Sequence, residues 1–333
     1  MPQVTIIMPV YNGEVYLREA IDSILDQTLT DFEFLILNDG SSDRSPDVVR
    51  SYADPRIRLV ENEAQMGLVY TLDRGLDLAR GTFIARMDCD DCSLPDLLAR
   101  QVAFLNDHPE VGICGAWMEA IGARAGYIWR YPTDPERIRC SLLFESALAH
   151  PSVMMRRDLL ERFKLRYSMA YQHAEDYGLW VQAARHFALA NIPEILVQYH
   201  KHAQQTGLKQ QKGLLAATTR IRLEQLDRLG VRPRPDEAAL HDAISIAQVQ
   251  PTREFVTRAG TWLEKLKGAN EQAGIYDQAS FTAELGWRWF WMCRLSTKLG
   301  LWSWRAFRRS SLSRAADIGW QQQLKFGVRC ALP

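Results

Sequence analysis

The N-terminal part of the chain alternates short apolar runs with segments of helical periodicity, and this alternation constrains the fold more than any other feature. Apolar runs of four to six residues are Val4–Met8, Phe32–Leu37, Ile57–Val60 and Phe83–Met87, and the segments between them with helical spacing are Tyr16–Gln27, Asp47–Ala53 and Val69–Ala79. Continuous short apolar runs are typical of strands that are buried on both faces. The alternation therefore predicts an α/β fold, with a mostly parallel sheet and helices on both sides.

Polar residues follow three of these expected strands at the point where each strand ends. They are Tyr11–Asn12, Asn38–Asp39 and Asp88–Asp91. In parallel sheets, ligands bind at the carboxyl ends of the strands, so these residues are the first place to look for chemistry. No G-x-G-x-x-G follows the first strand and no G-x-x-x-x-G-K-[S/T] occurs anywhere, which argues against a dinucleotide dehydrogenase and a P-loop NTPase.

The sequence Asp88-x-Asp90, with Asp91 beside it, indicates a cation site. Carboxylates at positions i and i+2 at a strand end can both reach one hard divalent cation, and Mg²⁺ or Mn²⁺ completes its shell with water and substrate phosphates. The pattern alone also fits a solvated acidic turn that caps the next helix. Its position at the edge of a parallel sheet favours the metal site.

Two other acidic positions each allow two interpretations. Asp39 could accept the imide N–H of a uracil or thymine base, or it could be an Asx-turn residue in the loop Asn38–Ser41, and the residues alone favour the turn. Glu175 and Asp176 could complement the dipole of a helix N-terminus. Alternatively, one of them could be the general base that takes the proton of an acceptor hydroxyl, and inverting chemistry at a sugar carbon needs only one such base.

The pattern changes after about residue 208. Before it we expect further strands at Val111–Trp117, His150–Met155 and Ile195–Tyr199, and further helices at Leu97–Phe104 and from Ala174–Tyr177 onward. After it long helical segments dominate, and Pro233 and Pro235 interrupt them. A length of 333 residues suits two domains. We therefore expect an α/β domain at 1–208 and a helical region at 209–333.

The net charge is zero, with 40 basic and 40 acidic residues, so overall charge gives no argument for a nucleic-acid partner. The distribution is uneven, however, because residues 285–333 hold nine Lys or Arg against one Asp, a net charge of +8, and six of the ten tryptophans. Tryptophan interleaved with arginine suits an anionic membrane interface. The same residues also suit a helical domain that packs its tryptophans as core, and both interpretations remain open.

The sequence favours a cytoplasmic protein. No apolar run reaches the roughly 18 residues of a spanning helix, and Met1–Pro9 lacks the basic start and long apolar core of a signal peptide. The basic region 285–333 could hold such a protein peripherally on the cytoplasmic face of the inner membrane.

Cys89 and Cys92 form a C-x-x-C beside the acidic motif. Such a pair could be redox-active or could supply half of a zinc site. No second C-x-x-C and no histidine pair at ligand spacing completes a zinc set in the sequence. We therefore expect two small residues that happen to be cysteine.

Several of these segments together resemble family 2 glycosyltransferases of GT-A fold, over roughly residues 3–205. They are Val4-Thr-Ile-Ile-Met-Pro-Val-Tyr-Asn12, Ala20-Ile-Asp-Ser-Ile-Leu-Asp-Gln-Thr28, Asn38-Asp-Gly-Ser-Ser-Asp43, Ala85-Arg-Met-Asp-Cys-Asp-Asp91, His150-Pro-Ser-Val153, Ala174-Glu-Asp-Tyr177 and Leu179-Trp180. Their order is far more specific than any single motif. One departure is Asn38, which stands where many members have Asp.

The resemblance implies a role for each matching residue. It implies donor-nucleotide contacts at Pro9, Tyr11, Asp39, Arg86 and Asp88, and metal or diphosphate contacts at Asp88, Asp90 and His202. Asp176 is implied as the catalytic base, with Glu175 positioning hydroxyls. His150 is implied to lie near the sugar or acceptor. The implied cofactor is Mn²⁺ or Mg²⁺.

The implied activity is inverting transfer of a sugar, hexosyl or N-acetylhexosaminyl, from a nucleoside-diphosphate sugar to an acceptor hydroxyl. UDP is the expected nucleotide, and the expected acceptor is a saccharide or lipid-linked saccharide in surface polysaccharide or glycolipid assembly. The absence of Q-x-x-R-W indicates a single addition rather than processive synthesis. One alternative is a sugar nucleotidyltransferase, although Pro9–Gly13 is not the glycine-rich loop it would need. Another is an inactive binding or scaffold protein, against which the intact acidic residues count.

Overall fold

The computed structural model describes residues 1–123, 125–201 and 210–332. The chain forms two compact units. The sheet unit comprises 1–135 and 146–217, and the helical unit comprises 136–145 and 218–333. The segment 136–145, which lies within the first part of the chain, thus belongs to the helical unit, and nothing in the sequence pattern indicated this.

The sheet unit follows the expected alternation of strands and helices. Its elements are β1 Val4–Val10, α1 Leu17–Leu25, β2 Phe32–Asn38, α2 Ser45–Arg50, β3 Ile57–Glu61, α3 Leu68–Leu78, β4 Phe83–Arg86, β5 Cys92–Ser93, α4 Leu97–Asp107, β6 Val111–Gly122, β7 Ile128–Trp129, α5 Pro135–Ser141 (which runs on into the helical unit), β8 Met154–Arg156, α6 Arg157–Arg162, α7 Glu175–Ala183 and β9 Ala188–Lys201.

The nine strands described form one mixed sheet in the order β3-β2-β1-β4-β8-β6-β9-β5, with β7 paired to β6. The pairs β2–β3, β1–β2, β1–β4 and β6–β9 are parallel, whereas β8, β5 and β7 pair antiparallel. The expected parallel sheet is therefore confirmed for the N-terminal strands. The two-residue strands β5 and β7 were not apparent from the sequence, because two residues carry no readable periodicity, whereas β8 overlaps the strand expected over His150–Met155.

β1 lies between β2 and β4 and is buried along its whole length. It continues through Pro9 to Val10, two residues beyond the apolar run Val4–Met8. The Met87 amide donates to the Ile7 carbonyl, so Ile7 and Pro9 share the edge of β1 that faces β4. Because the pairing with β4 stops at Ile7 and Arg86, no ladder bond is lost at the missing N–H of Pro9.

One apolar face of α1 covers this part of the sheet. Leu17, Ala20, Ile21 and Ile24 recur at helical spacing and are fully buried against the side chains of β1 and β2. Burial of each such leucine or isoleucine contributes roughly 1.5–3 kcal/mol. This packing holds α1 against the sheet at the same edge where the polar strand ends lie.

The strand expected over His150–Met155 is shorter than its apolar run. Residues His150–Ser152 form a 3₁₀ turn, and only Met154–Arg156 pairs in the sheet, as β8. Pro151 accounts for the difference, since its fixed φ suits a turn and it lacks the N–H of a central strand residue. The Ser152 hydroxyl lies buried and accepts from the Ala116 amide, which anchors the turn to β6.

The helical unit contains segment 136–145 and the helices that follow the sheet unit. Helix α8, Gln211–Arg228, belongs to the helical unit from Thr218 onward. The helices after it are α9 Pro235–Ser245, α10 Arg253–Ala273, α11 Gln278–Leu295, α12 Leu301–Arg309, α13 Leu312–Ala315 and α14 Trp320–Ala331. Within the described ranges, no helix combines the length and the apolar character that a membrane span requires.

Segment 136–145 is fastened to the helical unit through its backbone. The carbonyls of Leu142, Leu143 and Phe144 meet Gln225 Nε2, His241 Nε2 and Arg222 Nε at 2.5, 3.1 and 2.7 Å. The Phe144 side chain is completely buried in the core of this unit. Buried carbonyls need hydrogen-bond partners. The polar side chains of α8 and α9 provide these partners, while apolar side chains of the unit pack against the segment.

Five of the six tryptophans in 285–333 belong to the core of the helical unit. Trp289 is buried, and partly buried side chains packed against the same cluster are Trp287, Trp291, Trp302 and Trp304. Trp320 differs, since its residue surface is 71% exposed. The core interpretation thus describes most of this aromatic cluster, and a surface role is restricted to the neighbourhood of Trp320.

Candidate active site

The loops that follow β1 and β2 are joined side by side. The Asn12 amide donates to Ser41 Oγ at 3.0 Å, Asn12 Oδ1 accepts from the Ser42 amide at 2.9 Å, and the Gly13 amide donates to Ser45 Oγ at 2.9 Å. Asn12 has a φ of 51°, a left-handed value that asparagine tolerates better than most residues. Tyr11 is 44% exposed at this edge, whereas Pro9 is buried within β1.

Asp39 is buried at the end of β2 and holds a third loop. Its Oδ1 accepts from Asn62 Nδ2 at 2.7 Å and from the Met66 amide at 2.8 Å, and its Oδ2 accepts from the Gly67 amide at 2.9 Å. The hydrogen bond from a side chain to the backbone of this turn is made by Asn38 instead, because Asn38 Oδ1 accepts from the Ser41 amide at 3.2 Å. The Asx-turn interpretation of Asp39 is therefore wrong. An ionised carboxylate has about four acceptor positions, so Asp39 keeps capacity for one more donor.

Arg86, buried at the end of β4, forms an ion pair with the partly exposed Asp88. The two terminal guanidinium nitrogens of Arg86 donate to the two carboxylate oxygens of Asp88, and Nη1 lies 2.5 Å from Oδ2. Arg86 is almost completely buried, and within the described part of the chain its Nε has no hydrogen-bond partner. Burial raises the pKa of Asp88, which Arg86 counteracts and Asp90 reinforces. The two terminal nitrogens of the Arg86 guanidinium thus bind the Asp88 carboxylate in the bidentate geometry.

Three carboxylates, those of Asp88, Asp90 and Asp91, converge within 4.8 Å of one another. Asp91 is completely buried, and its Oδ1 accepts from the His200 amide at 2.9 Å. Its Oδ2 has no hydrogen-bond partner among the residues that the structure describes. Burial, together with Asp88 and Asp90, raises the pKa of Asp91 well above its usual value. An orphaned buried carboxylate oxygen beside two further carboxylates fits a hard divalent cation, which would relieve the repulsion.

Glu175 and Asp176 open α7, the first buried and the second half-buried. Burial and the charge of Asp176 raise the pKa of Glu175 to about 7. Burial also raises the pKa of Asp176, while the Tyr177 amide and Arg86 oppose that shift. A carboxylate whose pKa lies near neutrality suits proton transfer at neutral pH.

His150 lies between Tyr167 and Trp180. His150 Nε2 lies 2.9 Å from the Tyr167 hydroxyl, and the His150 ring meets Trp180 edge-on, with 5.9 Å between ring centroids. Burial, with Arg86 nearby, lowers the pKa of His150 well below its ordinary value. The neutral imidazole is therefore a hydrogen-bonding group rather than a charge at this position.

Electrostatic interactions connect these residues into one site. The positive charge of Arg86 lowers the pKa values of His150, Tyr167, Glu175 and Asp176. The negative charge of Asp88 raises the pKa values of Asp176 and Tyr167. The structure thus brings together the expected residues from the ends of β4 and β8 and the start of α7. His202 lies outside the described residues. Its expected part in a metal site stays a prediction.

Sequence reasoning missed three contributors to this edge. Tyr167 bonds to His150, Asn62 bonds to Asp39, and Asp91 contributes the orphaned oxygen. Tyr167 and Asn62 lie in loops without a distinctive local pattern. Asp91 was visible as part of the acidic run, but its burial could not be inferred from the residues.

A mixed sheet with an acidic cluster at the carboxyl ends of its parallel strands, followed by helices, defines a GT-A nucleotide-diphospho-sugar transferase fold. The family model described as "Glycosyl transferase family 2" matches residues 5–163. A Haemophilus influenzae relative described as an uncharacterized glycosyltransferase is 32% identical over 218 residues, which cover 62% of this chain and 68% of that protein. The chain belongs to glycosyl transferase family 2 and is a glycosyltransferase.

Two solved structures share the fold. Staphylococcus aureus TarS 1–349 in complex with UDP-GlcNAc aligns with a TM-score of 0.57 and 17% identity over 99% of this chain and 90% of that chain. The mannosyltransferase PcManGT of Pyrobaculum calidifontis, in complex with GDP-Man and Mn²⁺, aligns with a TM-score of 0.55 and 18% identity over 99% of this chain and 86% of that chain. At such identities the likeness extends to the fold alone. The family membership favours glycosyl transfer over the nucleotidyltransferase alternative.

Proposed function

We propose that this protein is an inverting, non-processive glycosyltransferase that moves a hexosyl or N-acetylhexosaminyl group from a UDP-sugar to an acceptor hydroxyl. The observation that carries the proposal is the Arg86–Asp88 ion pair beside the converging carboxylates of Asp88, Asp90 and Asp91, in a chain of glycosyl transferase family 2. A donor diphosphate bound there would direct its sugar towards Glu175 and Asp176, on which the charge of Arg86 acts.

The donor nucleotide occupies the edge formed by the loops after β1, β2 and β4. Tyr11, half-exposed, offers a ring to the base or ribose beside Pro9, and the remaining acceptor position of Asp39 is matched to a single imide N–H. Uracil presents such a donor, and S. aureus TarS was solved with UDP and with UDP-GlcNAc.

Asp90, with Asp88 and Asp91, is the proposed holder of Mn²⁺ or Mg²⁺. When bound, the cation supplies charge that stabilises the leaving diphosphate. Arg86 neutralises Asp88 from the protein side, so the cluster does not repel a diphosphate as strongly as three bare carboxylates would. PcManGT was solved with Mn²⁺.

Asp176 is the proposed catalytic base. It takes the proton of the acceptor hydroxyl as the oxygen bonds to the anomeric carbon, while the bond from that carbon to the diphosphate oxygen breaks and the electron pair leaves with the diphosphate. Glu175 binds acceptor or donor hydroxyls and switches between accepting and donating as it titrates near pH 7. Neutral His150, held by Tyr167, contributes a hydrogen bond in the vicinity of the sugar.

The C-terminal helix presents a face that fits an anionic membrane. Trp320, Leu324 and Val328 recur every four residues on α14 and are 71%, 59% and 50% exposed, whereas Phe326 and Cys330 are buried. The three exposed side chains line an open groove of about 650 Å³ together with residues of α12. Such an apolar stripe on a helix surface is typical of an interfacial helix.

The charge around this face supports anionic lipid as its partner. The exposed basic residues of this part of the chain are Lys298, Arg305, Arg308, Arg309, Arg314, Lys325 and Arg329, and the acidic residue among 285–333 is Asp317. We propose peripheral attachment through the α14 face, on the cytoplasmic side of the inner membrane. This attachment suits a lipid-linked saccharide acceptor in surface polysaccharide or glycolipid assembly, because such an acceptor is itself confined to the membrane.

Donor binding and metal dependence test the proposal together. Calorimetric titration of UDP, dTDP and GDP sugars should show donor binding with Mn²⁺ or Mg²⁺ present. In a separate assay, turnover should be lost in EDTA and restored by either cation. Asp90→Ala should weaken both donor binding and rate. Asp107→Ala, at the exposed end of α4, is the matched control. Full activity in EDTA would contradict the metal assignment, and absence of donor binding would contradict the activity.

A further inference from the structure

Asn62 directly follows β3 and binds the carboxylate of Asp39 from the protein side. Its backbone amide donates to the Asn38 carbonyl at 2.9 Å, which extends the β2–β3 ladder by one residue and fixes Asn62 beside Asp39. Its side-chain Nδ2 donates to Asp39 Oδ1 at 2.7 Å. Both side chains are buried, so this hydrogen bond is shielded from bulk water.

The two ends of the Asn62 amide are fixed by different partners on α3. Nδ2 also donates to Thr71 Oγ1 at 2.9 Å, and Oδ1 accepts from Arg74 Nη1. Thr71 is completely buried, and Arg74 donates to the Glu61 carbonyl as well, at 2.9 Å. Because arginine only donates and an ionised carboxylate only accepts, the amide has a single orientation here. Helix α3 therefore keeps the Asn62 donor directed at Asp39.

These contacts decide which oxygen of Asp39 is open to a ligand. An ionised carboxylate has about two acceptor positions on each oxygen. Oδ1 receives the Asn62 side chain and the Met66 amide, whereas Oδ2 receives the Gly67 amide, as far as the described residues are concerned. Oδ1 is therefore filled, and the remaining position lies on Oδ2. A ligand can place one N–H on Asp39, but not two side by side.

We propose that Asn62 determines the base specificity of the donor site, because by filling Asp39 Oδ1 it favours uracil or thymine over guanine. Guanine presents two adjacent donors, N1–H and the N2 amino group, and such a pair binds a carboxylate best through both oxygens. Uracil presents the single N3–H. The inference rests on the proposed donor site. Asn62 is thus a positioning residue that acts through Asp39, with Thr71 and Arg74 as its supports.

The ratio of UDP affinity to GDP affinity tests this role. Both nucleotides carry the same diphosphate, so calorimetric titrations with the same cation isolate the effect of the base. The wild type should prefer UDP. Asn62→Ala should lower the ratio by at least roughly 10-fold, the effect of about one hydrogen bond to a charged group, because the vacated position on Oδ1 then accepts the second guanine donor.

Asn191→Ala is the matched control for the loss of a buried amide. Asn191 is a buried residue of the same sheet unit, and its Nδ2 donates to the carbonyls of Pro132 and Ala147 instead of to a carboxylate. The substitution removes the same side chain from the unit. It should therefore leave the ratio of UDP to GDP affinity unchanged.

Two substitutions of Arg74 keep the test decisive if Asn62→Ala does not fold. Arg74 is only partly buried, and Arg74→Met removes the donor that holds Asn62 Oδ1 while keeping an apolar stem of similar length. The ratio should fall in the same direction as in Asn62→Ala. Arg74→Lys retains a charged donor and should restore the UDP preference, which a general loss of stability would not predict.

CDP separates this inference from the donor site on which it rests. Cytosine has no N–H at N3, so a wild type that binds CDP as tightly as UDP would contradict the Asp39 contact itself, and the inference with it. A wild type that prefers UDP to CDP but binds GDP more tightly than UDP would overturn the role of Asn62 alone. An unchanged ratio of UDP to GDP affinity in Asn62→Ala or in Arg74→Met would do the same.

Discussion

At the scale of single residues, burial decides the chemistry of the acidic pair at the start of α7. Glu175 is only 7% exposed, and its pKa rises to about 7 through burial and the charge of Asp176. Near neutral pH it is therefore divided between its charged and neutral forms. Arg86 stabilises the charged forms of both carboxylates, which connects proton chemistry at α7 to the ion pair at β4.

Asp176→Asn tests the proposed base. The substitution keeps the size of the side chain but removes the proton acceptor, so we expect transfer to fall by roughly 10²–10⁴-fold. Donor affinity, measured by calorimetry, should change little, because the proposed base would face the acceptor. Transfer at the wild-type rate would assign the base elsewhere, and Glu175→Gln, compared in the same assay, shows whether Glu175 is that base.

Glu175→Gln should also change how stability depends on pH. The folded pKa of Glu175, about 7, lies above its ordinary value of 4.5, so the folded protein binds the proton more tightly than the unfolded chain. The protonated Glu175 side chain therefore contributes fully to the free energy of unfolding below pH 4.5, and this contribution is lost as pH rises from 4.5 to about 7. The variant should gain thermal stability relative to wild type between pH 4.5 and 7, by up to about 3 kcal/mol, and then level off. A difference in melting temperature that does not change with pH would contradict the raised pKa.

At the scale of elements, three loops meet where β1 and β2 end, and Gly40 allows them to meet. Gly40 has a φ of +68°, and a Cβ on it would lie 2.7 Å from the Gln65 amide nitrogen. The loop around Met66 and Gly67 is the one that donates to Asp39. The position thus needs glycine for two reasons, a left-handed backbone and a close approach of two main chains.

Gly40→Ala should separate these loops. The left-handed backbone costs roughly 1–2 kcal/mol for a non-glycine residue, and the contact with the Gln65 backbone must also move. Gly126→Ala is the matched control, because Gly126 has a φ of +83° but no atom of the described residues within 4 Å of the added Cβ. We expect a larger drop in melting temperature and weaker nucleotide binding for Gly40→Ala. Equal effects of both variants would show that the loop contact contributes nothing.

At the scale of the whole molecule, opposite charges and aromatic residues are distributed unevenly between the parts of the chain. The helical unit uses most of its tryptophans internally, and its buried Arg288 pairs with Glu284 at 2.7 Å and Glu145 at 2.5 Å. The apolar stripe of α14 lies at the surface among lysines and arginines. Deletion of 285–333 would remove buried core residues with it, so point substitutions are the appropriate probes.

The double substitution Trp320→Ser and Leu324→Ser should reduce sedimentation with anionic liposomes. Both side chains are exposed, so their removal should leave stability within about 0.5 kcal/mol. Ile246→Ser, an exposed apolar residue elsewhere in the helical unit, is the matched control. Replacing Lys325 and Arg329 by Gln should weaken binding by about 2 kcal/mol, or roughly 30-fold, and high salt should act similarly. Negligible pelleting of the wild type with both anionic and neutral vesicles would exclude this membrane face.

The sequence by itself determined the order of the four N-terminal strands and of the helices between them, and it located the acidic residues Asp88, Asp90 and Asp176 at element ends. These properties are local, since apolar periodicity and the edge of a parallel sheet follow from neighbouring residues. Only the tertiary structure decided that His150 meets Tyr167, that Asp39 holds the loop at Met66, and that 136–145 packs with the helices. Such contacts depend on the packing of segments that are distant along the chain, and burial, which sets the pKa of Glu175, arises only from that packing.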